Sequence, residues 1–141
     1  MRKLFNPYTS VGARDFGLLA IRVIVCILLF THGFPKLMKL LSGDEIQFAE
    51  VFGMTQGISL TIAMLAEFVC ALFVLIGFAA RYAAIPIVLE MLVIVLYVHG
   101  NDPFGHKELP LLYMSFFLLI FFTGAGKFSL DYLISSKKKV V

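Results

Sequence analysis

Residues 58–80 read ISLTIAMLAEFVCALFVLIGFAA, an apolar run that carries one charge, Glu67. A helix of this length crosses the roughly 30 Å of hydrocarbon in a bilayer. The apolar residues are continuous and do not alternate, so the run is a helix and not a strand of a barrel. A carboxylate inside it costs about 2.5–3.5 kcal/mol to insert, and such a residue usually faces the interior of a bundle and has a partner there. The stretch therefore predicts a membrane protein, and it predicts neighbouring helices that shelter its acid.

Those neighbours are found on both sides. Arg81 and its immediate neighbours form the only break before the next run, about 82–98, so the two helices are antiparallel. That third run contains Pro86 and Glu90. A fourth, about 109–126, opens on Leu109 and Pro110, with the proline placed for a first helical turn. Upstream, a first run covers about 16–38 and carries Arg22. Pro35 and Lys36 mark where its hydrocarbon ends, and Thr9 or Ser10 is placed to cap its start. The fold class is all-α: one transmembrane domain over residues 1–141, an integral membrane four-helix bundle. A short helix is expected at about 44–54 on the outer membrane surface, because Asp44 and Glu45 suit a first turn and Ile46, Ala49 and Phe52 share a face. Residues 99–108, HGNDPFGHKE, are rich in turn formers, and 135–141 form a basic tail. No internal repeat is visible.

Composition agrees with this reading. The chain of 141 residues is 60% hydrophobic and 15% charged; a soluble domain has about 25% charged residues. The net charge of +3 does not point to nucleic acid, because the basic residues lie near the ends of spans and not along one face. Arg2, Lys3, Arg14, Arg81, Lys127, Lys137, Lys138 and Lys139 fall on the side of the termini, against Lys36, Lys39 and Lys107 on the other. The positive-inside rule then puts both termini in the cytoplasm, in a bacterial inner membrane. The opening MRKLFNPYTSVGARDFG does not read as a signal peptide, since Asn6, Pro7, Arg14 and Asp15 interrupt it. Cys26 and Cys70 both lie inside apolar runs, which predicts buried thiols and no disulfide scaffold or redox pair.

The ionisable residues inside the runs are the functional candidates. At about 1.5 Å per residue, Arg22 lies about 12 Å from Arg14 and Glu90 about 13 Å from Arg81. Equal depth makes Arg22 and Glu90 a candidate structural ion pair between the first and third spans. Glu67 lies about 21 Å above Arg81, and His32 and His99 lie about 27 Å up. Tyr97 and Tyr113 fall near that level. Glu67, His32, His99, Tyr97 and Tyr113 thus form an upper set of ligand-binding or proton-handling candidates. No cation stands at the depth of Glu67, which makes it a candidate proton carrier or hydrogen-bond donor to a quinone oxygen. Structural readings stand beside these: a clamp for Arg22 and Glu90, and helix-end bonding for His32 and for His99, which Gly100 follows as a C-cap. Two histidines at one height on different spans could also ligate a haem or, with Glu67, hold a metal. No helix carries ligand spacing for either, so no metal and no intrinsic cofactor are expected.

The order of these residues resembles the DoxX family. RVIVCILLFTHGFPK, residues 22–36, is similar to that family's opening span, with an Arg, an HG pair and a Lys. AEFVCALFVLIGFAAR, residues 66–81, matches its second span through Glu67, Gly77 and Arg81. Gly124, Gly126, Ser129 and Asp131 match its closing G-x-G-x-x-S-x-D stretch, and Glu108 its acid before the last span. The resemblance runs over about residues 12–133. It implies a small membrane subunit related to those of quinol oxidases and thiosulfate–quinone oxidoreductases, with a site inside the bundle. It implies a quinone or similar lipophilic ligand, and a soluble or membrane oxidoreductase partner to supply the electrons, beside the lipid bilayer itself. A homo-oligomer, a non-catalytic scaffold or assembly protein, and a small-solute or lipid transporter are the other readings.

Overall fold

The computed structural model describes residues 11–137, and among these all regular structure is helical. The helices are α1 (Val11–Ser42), α2 (Gln56–Ile76), α3 (Ala80–Val98), α4 (Phe104–Thr123) and α5 (Leu130–Lys137). The first four are long and apolar enough to cross a membrane. They pack in a ring, α1 on α2, α2 on α3, α3 on α4, and α4 back on α1. Each is therefore next to its sequence neighbours, as short connections require.

One stripe of α1 faces inward: Asp15, Arg22, Val25, Cys26, Leu29 and Gly33. Their spacing follows the 3.6-residue period. They meet Ala71 and Val74 of α2, Ala80, Ala83, Ala84 and Ile87 of α3, and Phe117 and Ile120 of α4. Alanine dominates the α3 contact because dispersion between closely approaching helices replaces the hydrophobic effect inside a bilayer. Ile24, Ile27 and Leu28 of α1, and Leu89, Leu92 and Leu96 of α3, point outward, as a lipid-covered belt requires.

The boundaries shift where polar groups can extend a helix into the interface. Helix α1 runs past Pro35 and Lys36 to Ser42. Helix α4 begins at Phe104, after Pro103, so Pro110 stands within the second turn and not the first. The residues proposed as a cap for α1, Thr9 and Ser10, and the tail residues 138–141 lie outside the described residues. The surface helix expected at 44–54 does not form: residues 43–55 are irregular. Phe52 and Gly53 adopt left-handed conformations, φ 53° and 74°, which no helix accommodates. The backbone N–H groups of Phe48 and Val51 donate instead to Gln56 Oε1 (3.1 Å) and Ser59 Oγ (3.3 Å). The segment turns back over the bundle, where Phe48, Val51 and Phe52 meet side chains of α2 and α3.

At the opposite end, α2 stops at Gly77, whose φ of 70° lets the Phe78 N–H reach Phe73 O at 2.9 Å. Ala79 is also left-handed, φ 47°, a conformation that needs support in a non-glycine residue. Asp131 supplies it. Its carboxylate accepts from Ala79 N (2.7 Å) and Ala80 N (3.0 Å), and its own N–H donates to Gly77 O (2.8 Å). Asp131 thus caps α3 from the far end of the chain.

Candidate functional site

Glu67 lies in a π-helical segment of α2, Leu65–Cys70. Such single-turn widenings recur at functional sites and change the direction in which side chains point. Its side chain is 4% exposed and forms an ion pair with Lys36 of α1. Counting residues along the axis put Lys36 at the edge of the hydrocarbon, and left Glu67 without a cation. Helical side chains lean toward the helix N-terminus, and the four-carbon stem of lysine then carries the ammonium back into the bundle.

Gly33 makes the α1–α2 approach possible. A Cβ there would sit 2.8 Å from the Glu67 carbonyl carbon and oxygen and 2.9 Å from Phe68 N, all backbone atoms. Gly33→Ala must push α1 away from the π segment. The expected effect is a loss of about 1–3 kcal/mol, the range for overpacking, with Glu67 displaced from Lys36. Thermal unfolding in detergent checks the first result. A Gly33→Ala protein as stable as the wild type would contradict the contact.

Glu90 of α3 stands within electrostatic range of Glu67 and Lys36. Its Oε2 is buried with no protein hydrogen-bond partner among the described residues. Glu90 and Lys36 line a cavity of about 650 Å³ between α2 and α3. The remaining wall is largely apolar, with Ile62, Ala66 and Val93 among its residues, and Phe48, Val51 and Phe52 of the 43–55 segment cover it. Cys70 lines it as well and is only partly buried, whereas Cys26 is fully buried. Cys70 thus departs from the expectation that both thiols are buried.

The upper set expected from the sequence divides. His99 stands at the cavity rim. Its Nδ1 lies 2.7 Å from Asp102 Oδ2, and this hydrogen bond holds the Asp102 carboxyl below the ordinary carboxylate range. Gly100 is not a left-handed cap; a Cβ there would strike the Leu96 carbonyl oxygen. Tyr97 is exposed and its ring packs on Phe52, centroids 4.9 Å apart. His32 is exposed and meets the edge of buried Tyr113 at 6.0 Å, on the α1–α4 side of the bundle. Depth fixes height but not direction about a helix axis, so five residues near one level reach different faces.

The Arg22–Glu90 pair does not form. Arg22 is 2% exposed, and its guanidinium donates to Ala125 O and Phe128 O, each at 2.5 Å. These carbonyls belong to the loop after α4, which folds back into the terminal end of the bundle and supplies the partners that the depth ruler assigned to α3. Ser129 Oγ closes the loop by donating to Gly126 O at 2.6 Å. The Gly-x-Gly-x-x-Ser-x-Asp stretch is thus a clamp that joins Arg22 to the start of α3. Asp15, 3% exposed, joins the same end, with Oδ2 3.9 Å from Lys127 Nζ. Sequence reasoning missed Lys36, Asp15 and the loop carbonyls. Only the glycines at 124 and 126 signalled a backbone that approaches another group closely.

Comparison with known proteins agrees with this architecture. The family model described as DoxX matches residues 17–100. The chain is 32% identical over 127 residues to Inner membrane protein YqjF of Escherichia coli (strain K12), covering 87% of this chain and 95% of that protein. No solved structure matches it at a significant level.

Proposed function

The chain belongs to the DoxX family and is a multi-pass inner-membrane protein, and on that premise we propose that it binds a quinone or a similar lipophilic molecule with a polar head between α2 and α3. The observation that carries this reading is the Glu90 carboxyl oxygen, buried without a protein partner among the described residues at the wall of a largely apolar cavity. A ligand site of this kind combines an apolar enclosure with a few convergent polar groups. The cavity volume falls in the range of small-molecule sites, about 300–1,000 Å³. A quinone oxygen fits beside Glu90 and the Lys36 ammonium, and its tail fits among the apolar residues.

The set of Lys36, Glu67 and Glu90 is neutral when Lys36 is charged and one of the two carboxyls is protonated. In this reading Glu90 exchanges that proton with the head group, and Glu67 acts through Lys36, which it holds in place. Electrons come from a soluble or membrane oxidoreductase partner, and the protein serves as the membrane subunit of that complex. The basic excess at the terminal side favours cytoplasmic termini, which places the cavity in the outer half of the membrane.

Cys70 reports on occupancy. In lipid nanodiscs, decylubiquinone at about ten times its dissociation constant slows alkylation of Cys70 by N-ethylmaleimide about tenfold. Cys26 serves as the buried control. An unchanged Cys70 rate, or equal protection by a saturated hydrocarbon of the same length, would contradict the reading.

A further inference from the structure

Three metal-ligating side chains meet outside the Lys36–Glu67–Glu90 set, at the turn between α3 and α4. His99 ends α3, Asp102 lies in the turn, and His106 lies in the first turn of α4. One ligand atom from each lies within 4.8 Å of the others. The two imidazole rings stack, with centroids 5.7 Å apart and planes inclined by 28°. We propose that His99, Asp102 and His106 bind a divalent transition-metal ion of the zinc class at the mouth of the cavity.

The backbone prepares this arrangement. Asp102 N–H donates to His99 O and His106 N–H donates to Pro103 O, both at 3.1 Å. The Lys107 ammonium donates to Gly100 O at 2.9 Å. The ligand atoms must sit about 3.3 Å apart, the edge of a tetrahedron with bonds of about 2.0–2.1 Å; the hydrogen-bonded His99 Nδ1 and Asp102 Oδ2, 2.7 Å apart, open by a few tenths of an ångström as the ion replaces their shared proton, and His106 closes on them. Asp102 and His106 are exposed, so rotation of their side chains achieves this without moving the helices. Two imidazoles and one carboxylate select zinc, cobalt or nickel over magnesium and calcium, which prefer oxygen ligands. Three protein ligands leave at least one position for water or another group. Ligand spacing within a single helix does not reveal this set, because the three residues straddle a helix end, a turn and a helix start. The inference is independent of the quinone reading, because it concerns the apoprotein and a metal ion alone.

The test is a titration of the full, tag-free chain in detergent micelles with Zn²⁺, followed by Co²⁺ for its visible bands. The expected result is about one Zn²⁺ per chain with a dissociation constant of about 10 µM or tighter, and no competition from Mg²⁺. His106→Ala and Asp102→Asn each weaken binding at least about tenfold, in the range for damage to a metal site. His106→Ala also loses the Co²⁺ bands, while circular dichroism stays unchanged in both variants. Weaker wild-type binding, equal competition by Mg²⁺, or affinity insensitive to either substitution overturns the proposal.

Discussion

Lys36→Met unfolds the bundle at a markedly lower temperature than the wild type. The substitution keeps much of the side-chain length and removes the ammonium, so Glu67 is left buried without its cation. Breaking a buried pair from one side costs about 3–5 kcal/mol. The lower end applies here, because the Lys36 side chain is 19% exposed and water screens part of the interaction. Glu67→Met made together with Lys36→Met recovers most of the loss, since an apolar pair of similar volume is neutral or stabilising in place of a buried ion pair. Thermal unfolding of the wild type, the single variant and the double variant checks both statements. If the double variant is no more stable than Lys36→Met alone, the two side chains are not partners. The double variant also separates stability from ligand binding, because it restores the fold without the charges.

Arg22→Leu has the second large effect, at the other end of the molecule. It leaves the carbonyls of Ala125 and Phe128 without the donors that Arg22 supplies. A buried carbonyl deprived of its partner costs about 1–3 kcal/mol, and the Phe128 bond is only part-buried, so the variant loses about 2–4 kcal/mol in all. The loss is local in origin. The loop around Gly126 detaches from α1, and the support that Asp131 gives to Ala79 weakens with it. Limited proteolysis with trypsin reads this directly, since Lys127 stands in that loop with its side chain 51% exposed. The variant is cut at Lys127 well before the wild type. Arg22→Lys, which retains one donor group, falls between them. Equal cleavage in Arg22→Leu and wild type would remove the clamp from the account.

The four spans were legible in the sequence because lipid leaves the backbone few options, and a continuous apolar run of about 20 residues has one stable form there. Glu67 was legible as an inward-facing group for the same reason: its cost outside the bundle is high. Its partner was not, because residue counting locates a Cα, whereas a lysine ammonium reaches more than one helical turn away. Arg22 was correctly read as sheltered and wrongly paired. Nothing in an apolar periodicity reveals that a loop after the last span returns to fill the bundle end with carbonyls. The π segment of Leu65–Cys70 contains no glycine or proline, so no local signal announced it. The segment 43–55 carries the apolar spacing of a surface helix, yet Phe48, Val51 and Phe52 cover the cavity. Tertiary burial outweighed the weak local preference for a helix.

The binding of a lipophilic molecule beside Glu90 is tested most directly by titrating the protein in nanodiscs with decylubiquinone. The wild type is predicted to bind saturably. Glu90→Leu, which keeps most of the side-chain volume and removes the proton that Glu90 offers the head group, is predicted to bind about tenfold more weakly, the equivalent of about 1.4 kcal/mol for one lost hydrogen bond. Saturable binding with the same affinity in Glu90→Leu as in the wild type, or no saturable binding to either, would contradict the account.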